Sequence, residues 1–284
     1  MCDDECFEAS RTHLHEACVN GDVILVLFWL CDDHADFESK NTEGKTPFHL
    51  ACEHGHLEIA IMIWSRGVRD LNETDNKGRT PLHLACCHGH LNVVRMLLQE
   101  SACTEKEDYE GFTPFHTAFA NRRVEVACMF LDRGADVNTK SNDGSTLLHY
   151  AAVAGAIDLV KLLLDRGANV EAKCDVNGYT PLHLASNTCK PGRFVDSVQL
   201  LLDRGAQINA RDERAGFTAL HYVCGSGDFR VAGLLLDRGA DVEATAKTKN
   251  DTPLSIACRF GRLEVVWLLV HRYPWLILNQ LNNR

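Results

Sequence analysis

The stretch TPLHLACCHGHLNVV, residues 80–94, holds three histidines and two cysteines within fifteen positions. This density is typical of a metal site, of a thiol–imidazole catalytic pair, or of a structural motif without chemistry. A zinc site needs about four such ligands converging at ~2.0–2.3 Å. A catalytic thiol needs an oriented base and an oxyanion site. The remainder of the chain distinguishes between these interpretations.

The beginning of this stretch recurs along the 284-residue chain at a nearly constant period. Copies of Thr-Pro-Leu-His, each with at most one substitution, begin at Thr12, Thr46, Thr80, Thr113, Thr146, Thr180, Thr218 and Thr252. The spacings between these threonines are 34, 34, 33, 33, 34, 38 and 34 residues. A nearly fixed period of this length predicts an array of stacked supersecondary units and argues against a compact two-domain enzyme.

Each copy predicts two short helices and a turn. Thr80 is a good N-cap residue and Pro81 suits the first helical position, where no N–H is needed. Gly89 ends this helix, and a second apolar stripe at helical spacing follows from Leu91. In the most regular copies the second helix ends in Asp-Arg-Gly-Ala, whose Gly suits a left-handed C-cap. Asn-Asp-Gly at 142–144 predicts the tight turn that leads to the next copy.

These residues resemble the ankyrin repeat family. The resemblance depends on the Thr-Pro-Leu-His-Leu-Ala cores, on Gly-His at 55–56 and 89–90, and on Asp-Arg-Gly-Ala-Asp-Val at 132–137 and 237–242. It covers roughly residues 10–272 and implies an all-α solenoid of stacked helix-turn-helix units with projecting β-turn fingers. The fingers and the inner, TPLH-bearing helices would form its concave face.

The period also predicts the domain organisation. We expect an N-terminal segment at 1–11, a single ankyrin-repeat domain of about eight repeats at 12–272, and a tail at 273–284 that covers the last repeat. The sixth copy is four residues longer than the others, and the extra residues fall within 187–197. This insertion is either a binding loop or a tolerated surface bulge, and the sequence leaves both open.

The alignment of the copies argues against a metal or a thiol enzyme at 83–90. Histidine stands at the His83 position in seven of the eight copies, whereas the Cys87 position is variable. The resemblance implies that this histidine is a structural hydrogen-bonding group. Five copies place a cysteine at one small position, which we expect to be a buried slot, since cysteine packs as a small apolar residue. The five are Cys18, Cys52, Cys86, Cys224 and Cys258. We therefore predict no enzyme activity, no cofactor and no metal, with a metal- or thiol-dependent enzyme at 83–90 as a weak alternative.

Charge and composition limit the partners and the location. The net charge is −10, of which residues 1–112 contribute −12 from 21 acidic and 9 basic residues. An acidic half repels nucleic-acid phosphates and favours a basic-plus-apolar segment of another protein. No apolar run is long enough for a membrane span, and the N-terminus does not resemble a secretory signal. Thirteen cysteines and no such signal favour the reducing cytoplasm or nucleus. We expect a monomer.

The resemblance implies a non-catalytic protein–protein interaction module, such as a scaffold, adaptor or inhibitor. The alternative is that the chain is the targeting domain of a larger enzyme, channel or ubiquitin-ligase adaptor. Binding is expected at positions that vary between copies and point away from the stack, in the fingers and at the ends of the inner helices. The predicted partner-binding residues are Glu43, Lys45, Glu53, His54, Arg79, His88, Glu107, Tyr109, Glu110, Phe112, Asn121, Tyr179, Arg211, Phe217, Arg259 and Phe260.

Four of these residues are aromatic and are expected to be exposed: Tyr109, Phe112, Tyr179 and Phe217. Aromatic residues and arginine dominate interface hot spots. Three of the four directly follow a turn glycine, and the alternative is that they pack against the neighbouring finger instead of binding a partner.

Overall fold

The computed structural model describes residues 13–32, 36–67, 70–187, 194–247 and 250–276. In these residues the regular structure is helical, with one isolated bridge between Lys140 and Thr146. The chain divides into two compact units, residues 1–135 and 136–284. The predicted all-α class is confirmed. Across the described ranges no helix combines the length and apolar character needed to cross a bilayer.

Each unit is a series of helix pairs, in which the first helix is called inner and the second outer. The inner helices of the first unit are α1 (13–20), α3 (Pro47–Glu53), α5 (Pro81–His88) and α7 (Pro114–Ala120). Its outer helices are α2 (Val23–Leu30), α4 (Leu57–Ser65), α6 (Leu91–Gln99) and α8 (Val124–Asp132).

The second unit repeats this order. Its inner helices are α9 (Leu147–Ala154), α11 (Pro181–Ser186), α13 (Ala219–Ser226) and α15 (Pro253–Arg259). Its outer helices are α10 (Ile157–Asp165), α12 (Val195–Asp203), α14 (Phe229–Asp237) and α16 (Leu263–Arg272). From α2 onward within each unit, successive inner helices pack side by side, and so do successive outer helices. The loop that leads from an outer helix to the next inner helix is called a finger.

The threonine of the repeated motif caps its helix as predicted. In α5 the Thr80 side chain accepts a hydrogen bond from the His83 N–H, and Pro81 occupies the first turn. The Thr80 N–H in turn donates to His83 Nδ1 at 3.1 Å. This reciprocal arrangement is a capping box, which satisfies backbone N–H groups that the first turn leaves without helical partners. It recurs at the start of α3, α7, α9, α11, α13 and α15.

The same histidine also connects one repeat to the next. Because Nδ1 of His83 accepts the Thr80 N–H, the ring proton lies on Nε2, which donates to the Phe112 carbonyl at 2.9 Å. His49 Nε2 is 3.0 Å from the Glu73 carbonyl of the following finger. In the second unit, His149 and His183 make the same contact, at 2.9 Å, with the carbonyls of Tyr179 and Ala210. The predicted structural role of this histidine is confirmed.

Burial keeps these rings neutral. It lowers the pKa of His49 to about 4, although the nearby Asp75 carboxylate acts in the opposite direction. Burial likewise lowers the pKa of the corresponding histidines of α5, α9, α11 and α13. A proton on Nδ1 would also remove the acceptor of the threonine N–H, so the neutral form is the one that both hydrogen bonds require.

A second set of inter-repeat contacts lies at the turns between inner and outer helices. His90, just before α6, places Nε2 2.8 Å from the Glu53 carbonyl at the end of α3. Its ring lies directly against Gly55, where an added Cβ would meet Nδ1 at 2.4 Å. Arg123 replaces this histidine in the next repeat, and its Nε donates to the Cys87 carbonyl at 2.9 Å.

Neighbouring fingers are joined through their backbones. The Asn76 N–H donates to the Glu43 carbonyl at 3.0 Å, and the Tyr109 N–H donates to the Lys77 carbonyl at 3.0 Å. In the second unit, the Lys247 N–H donates to the Ala215 carbonyl at 2.8 Å. Within each unit, these bonds fix a finger tip relative to the previous one.

The expected cysteine slot is confirmed in four of its five cases. Cys18, Cys52, Cys86 and Cys224 are fully buried free thiols on inner helices. The expectation is wrong for Cys258, which is exposed. Cys258 lies on α15, and in the described part of the chain no further inner helix follows to cover it.

Several expectations fall wholly or partly outside the described residues. The segment 1–11 and Thr12 lie outside them, as do residues 188–193 of the insertion and residues 277–284 of the tail. In the described part of the tail, Leu276 is buried and Trp275 is half exposed. The domain limits of 12 and 272 stay a prediction.

The buried histidines predict acid-labile stability. Their pKa values are lower in the folded chain than the ~6.5 of an unfolded histidine, so the unfolded chain binds more protons as the pH falls below that value. The free energy of unfolding should therefore decrease from about pH 6.5 downward, by about 3 kcal/mol for His49 by pH 4. Urea denaturation at a series of pH values measures this. His49→Gln should flatten the dependence, whereas His13→Gln, at an exposed position, should not; equal slopes in both variants would contradict the assignment.

The turn contact predicts a difference between two glycines with left-handed backbone. Gly55 (φ +77°) faces the His90 ring, whereas no described atom lies within 4 Å of a Cβ built at Gly134 (φ +85°). Both alanine variants meet the same backbone strain, but Gly55→Ala must also displace a hydrogen-bonded ring. We expect it to lose at least about 1 kcal/mol more unfolding free energy than Gly134→Ala. Equal losses of unfolding free energy in urea denaturation would show that the His90 ring moves aside without destabilising the protein.

Candidate functional site

In each unit, the inner face, defined as its fingers and the C-terminal ends of its inner helices, is built on carboxylate-stabilised turns. Asp75 Oδ1 accepts the N–H groups of Lys77 and Arg79, each at 2.9 Å. Asp108 does the same for Glu110 and Phe112, at 3.0 and 2.9 Å. Side-chain acceptors of this kind replace backbone pairing in tight turns. The sequence therefore fixes the finger shape locally and leaves the tip residues free to vary.

Arg79 is partly committed to its own finger. Its Nε donates to Asp75 Oδ2 at 2.8 Å, and a terminal nitrogen lies 2.7 Å from the same oxygen. Burial by itself would raise the pKa of Asp75, but the hydrogen bonds from Arg79 and from the finger N–H groups outweigh it and lower the pKa below its ordinary value. The pair stays ionised and stiffens the finger base.

Lys45 differs from the expectation that it points away from the stack. It is buried, and its Nζ lies 2.7 Å from carboxylate oxygens of both Glu43 and Glu53. Burial alone would lower the pKa of Lys45, but these hydrogen bonds raise it, so the ammonium remains charged. The reason is geometric: the residue before the capping threonine lies beside the end of its own inner helix. Lys45 therefore positions the two carboxylates and is not displayed to solvent.

The structure brings His88 close to this group. Its Nε2 is 3.9 Å from Glu53 Oε1, and its ring stacks on His90 with centroids 5.9 Å apart. Burial lowers the pKa of His88, against the opposing effect of Glu53. His54 makes the corresponding stack with His56 in the preceding repeat, at 6.3 Å. Both outward imidazoles, His54 and His88, are exposed on the inner face.

The opening stretch has a structural explanation. Both ring nitrogens of His83 are engaged, Nδ1 with Thr80 and Nε2 with Phe112, which leaves no lone pair for a metal. Cys86 is buried, and burial raises its pKa well above the ordinary value, away from a reactive thiolate. Within the described ranges no three His, Cys, Asp or Glu side chains are grouped to hold a metal ion.

The most exposed predicted aromatic residue is Tyr109, at the tip of the finger before α7. Its side chain is 77% exposed. The ring nevertheless rests on the backbone of Gly78 in the previous finger, where an added Cβ would meet it at 2.7 Å. Glu107 and Glu110 flank it and are exposed as well. The fourth repeat therefore presents an aromatic ring between carboxylates on a finger that is held by its neighbour.

Three other predicted aromatic residues are half buried against capping histidines. Phe112 meets His116 edge-on with centroids 6.2 Å apart, and Phe217 stacks on His221 at 5.1 Å. Tyr179 lies 6.4 Å from His183. Of the two alternatives that the sequence left open, packing accounts for part of the surface of each residue, and each residue stays partly exposed.

Tyr222 is a residue of this face that the sequence reasoning missed. It lies on α13 between Tyr179 and Phe217, with ring centroids 5.7 and 5.6 Å away, and its hydroxyl donates to the buried Asp212 carboxylate. The available signal was a tyrosine at an inner-helix position where α3 and α5 have Leu50 and Leu84. A hydroxyl there needs a partner, and the finger supplies one.

The remaining predicted residues make separate local contacts. Arg211 is exposed, and a terminal nitrogen donates to the Thr245 carbonyl at 2.6 Å. Arg259 forms a two-point pair with Asp251, one contact of which is 2.9 Å long. Phe260, next to it, is more than half exposed. Asn121 is exposed and donates to a carbonyl of its own helix, that of Thr117, at 2.9 Å.

Comparison with known proteins agrees with this architecture. A family model described as ankyrin repeats (3 copies) matches residues 2–75, 61–141, 139–212 and 194–275. A search of curated proteins gave no match. Ankyrin repeats generally serve as protein–protein interaction modules and are typically non-catalytic. The family matches, the repeated capping boxes and the paired helices together show that the chain belongs to the ankyrin repeat family.

Proposed function

We propose that the protein is a non-catalytic recognition module, a scaffold, adaptor or inhibitor, that binds another protein through its inner face. The observation that carries this proposal is Tyr109, an ordered and largely exposed aromatic ring between the exposed carboxylates of Glu107 and Glu110. A solvent-facing tyrosine with this degree of exposure gains free energy when a partner covers it.

The finger that carries Tyr109 is preorganised for binding. Its N–H donates to the Lys77 carbonyl and its ring lies on Gly78, so both backbone and side chain are held by the preceding finger. A partner then loses little free energy in ordering this anchor, and preorganisation of this kind raises affinity without added contact area.

The charge around the anchor indicates the chemistry of the partner. Glu105, Glu107 and Glu110 are exposed on this finger, and Glu43 is exposed two fingers earlier. We propose that the first unit takes a segment with Lys or Arg next to an apolar residue. Attraction between exposed charges extends over about 10 Å in ordinary salt, so it favours encounter more than final affinity.

The engaged state of the repeated His and Cys residues supports a non-catalytic role. His83 uses both ring nitrogens within the stack, and Cys86 is a buried small residue. The buried free thiols also support a reducing location, the cytoplasm or the nucleus. We propose that the chain acts there as a monomer, without nucleic acid, membrane or cofactor.

A peptide selection tests this proposal. A phage-displayed library of random linear peptides is selected on the full chain, and we expect the enriched peptides to combine Lys or Arg with an aromatic or aliphatic residue. Tyr109→Ala with Glu110→Lys should weaken the selected peptides at least tenfold in fluorescence anisotropy, because it removes the anchor and reverses a neighbouring charge.

Glu125→Lys is the matched control, because it makes the same charge change at an exposed position of outer helix α8. It should leave affinity within about twofold. Selection of acidic peptides, or unchanged binding by the Tyr109 variant with unchanged circular dichroism, would reject this site.

A further inference from the structure

Outer helix α2 (Val23–Leu30, VILVLFWL) differs from the other outer helices on its solvent side. The second residue of each later outer helix is exposed and polar or charged: Glu58, Asn92, Glu125, Asp158, Asp196, Arg230 and Glu264. In α2 this position is Ile24, which is 79% exposed. Leu27 occupies another outward position, at which α6 and α10 have Arg95 and Lys161.

These side chains belong to an ordered helix. Val26 is fully buried and fixes α2 against α4, and the Asp22 side chain caps the helix by accepting the Leu25 N–H at 3.0 Å. Phe28 is 65% exposed, and Leu25 and Leu27 are each about half exposed. We call Ile24, Leu25, Leu27 and Phe28, with the half-exposed Ile61 on α4, the α2 patch.

The position of Leu25 indicates that the α2 patch fits a helix. Leu25 occupies the third position of its outer helix, and the corresponding residues Ile59 on α4 and Val93 on α6 are buried. Ile59 and Val93 lie on helices that follow another outer helix of the first unit, whereas in the described residues no outer helix precedes α2. A helix laid beside α2 on this open side would cover Leu25 and Phe28, with ridges packed into grooves.

The surrounding charge indicates the chemistry of that helix. Residues 13–67 contain nine Asp and Glu but three Lys and Arg. Two of these cations lie in fingers, where Lys40 pairs with Glu73 and Lys45 with Glu43 and Glu53. The third, Arg66, lies at the C-cap of α4. Asp22 and Glu58 lie at the N-terminal end of the α2 patch, while α2 itself has no charged residue.

We propose that the α2 patch is a second docking surface, which binds an amphipathic helix of a partner protein, apolar on one side and flanked by Lys or Arg. It lies on outer helices and shares no residue with the inner face. A cluster of exposed apolar side chains of this kind is typical of an interaction site.

The probe for this surface is a synthetic amphipathic helix of leucine and lysine, with lysines flanking its apolar side. Fluorescence anisotropy should show binding to the full chain, and Ile24→Glu with Leu27→Lys should weaken it at least tenfold. These charges are tolerated at the same positions of α4 and α10, so the melting temperature should change little. Asp158→Asn with Lys161→Gln, at the same two positions of α10, is the matched control and should leave binding unchanged.

Two further measurements can overturn the proposal. A peptide with glutamate in place of lysine should bind at least tenfold more weakly, and equal binding would refute the charge argument. A photoreactive phenylalanine analogue at position 28 should cross-link to the lysine peptide. Cross-linking instead to residues 1–12 of the same chain, or to a second copy, would show that the patch is occupied within the protein itself. Unchanged binding by Tyr109→Ala with Glu110→Lys would show that this surface and the inner face act separately.

Discussion

In five repeats the histidine of the repeated motif connects the start of an inner helix to the following finger, and this connection requires a neutral ring. The five are His49, His83, His149, His183 and His221. In His83, Nδ1 accepts the N–H of Thr80 and Nε2 donates to the Phe112 carbonyl. Only the neutral ring with its proton on Nε2 can do both. Burial favours the neutral ring because it lowers the pKa of His83. The neutral ring then keeps its hydrogen bonds to both the capping threonine and the neighbouring finger. Helix initiation and repeat stacking therefore depend on the same group.

A stack built in this way leaves few positions for function. The residue before the capping threonine and the residue near the end of the inner helix are adjacent, and two repeats use them for an ion pair of opposite orientation. Lys45 binds Glu53 in one repeat, whereas Asp251 binds Arg259 in another. These charges vary between copies, yet they serve their own repeat. The variable residue that is displayed most clearly lies at a finger tip, where Tyr109 is 77% exposed.

The first outer helix shows a second consequence of a repeating stack. Equivalent side chains are more exposed in a terminal helix than in an internal one. In the first unit α4 and α6 each pack beside a preceding outer helix, and Ile59 and Val93 at their third positions are buried. Leu25 has the same place in its helix and is half exposed. The outward residues Ile24 and Leu27 extend this apolar edge onto the solvent side, where other repeats are polar. Cys258 reflects the same edge effect at the last described inner helix.

The sequence by itself determined the period, the capping boxes, the glycine C-caps and the all-α class, because these depend on residues within four positions of one another and on their repetition. It also placed the buried cysteine slot, since small residues recur there. Only the tertiary structure decided which variable residues are displayed. The burial of Lys45, the packing of Phe217 on His221 and the hydrogen bond from Tyr222 to Asp212 all depend on how a finger lies against a helix. Exposure at the edges likewise depends on which neighbour is present, a property of the stack that no single repeat contains.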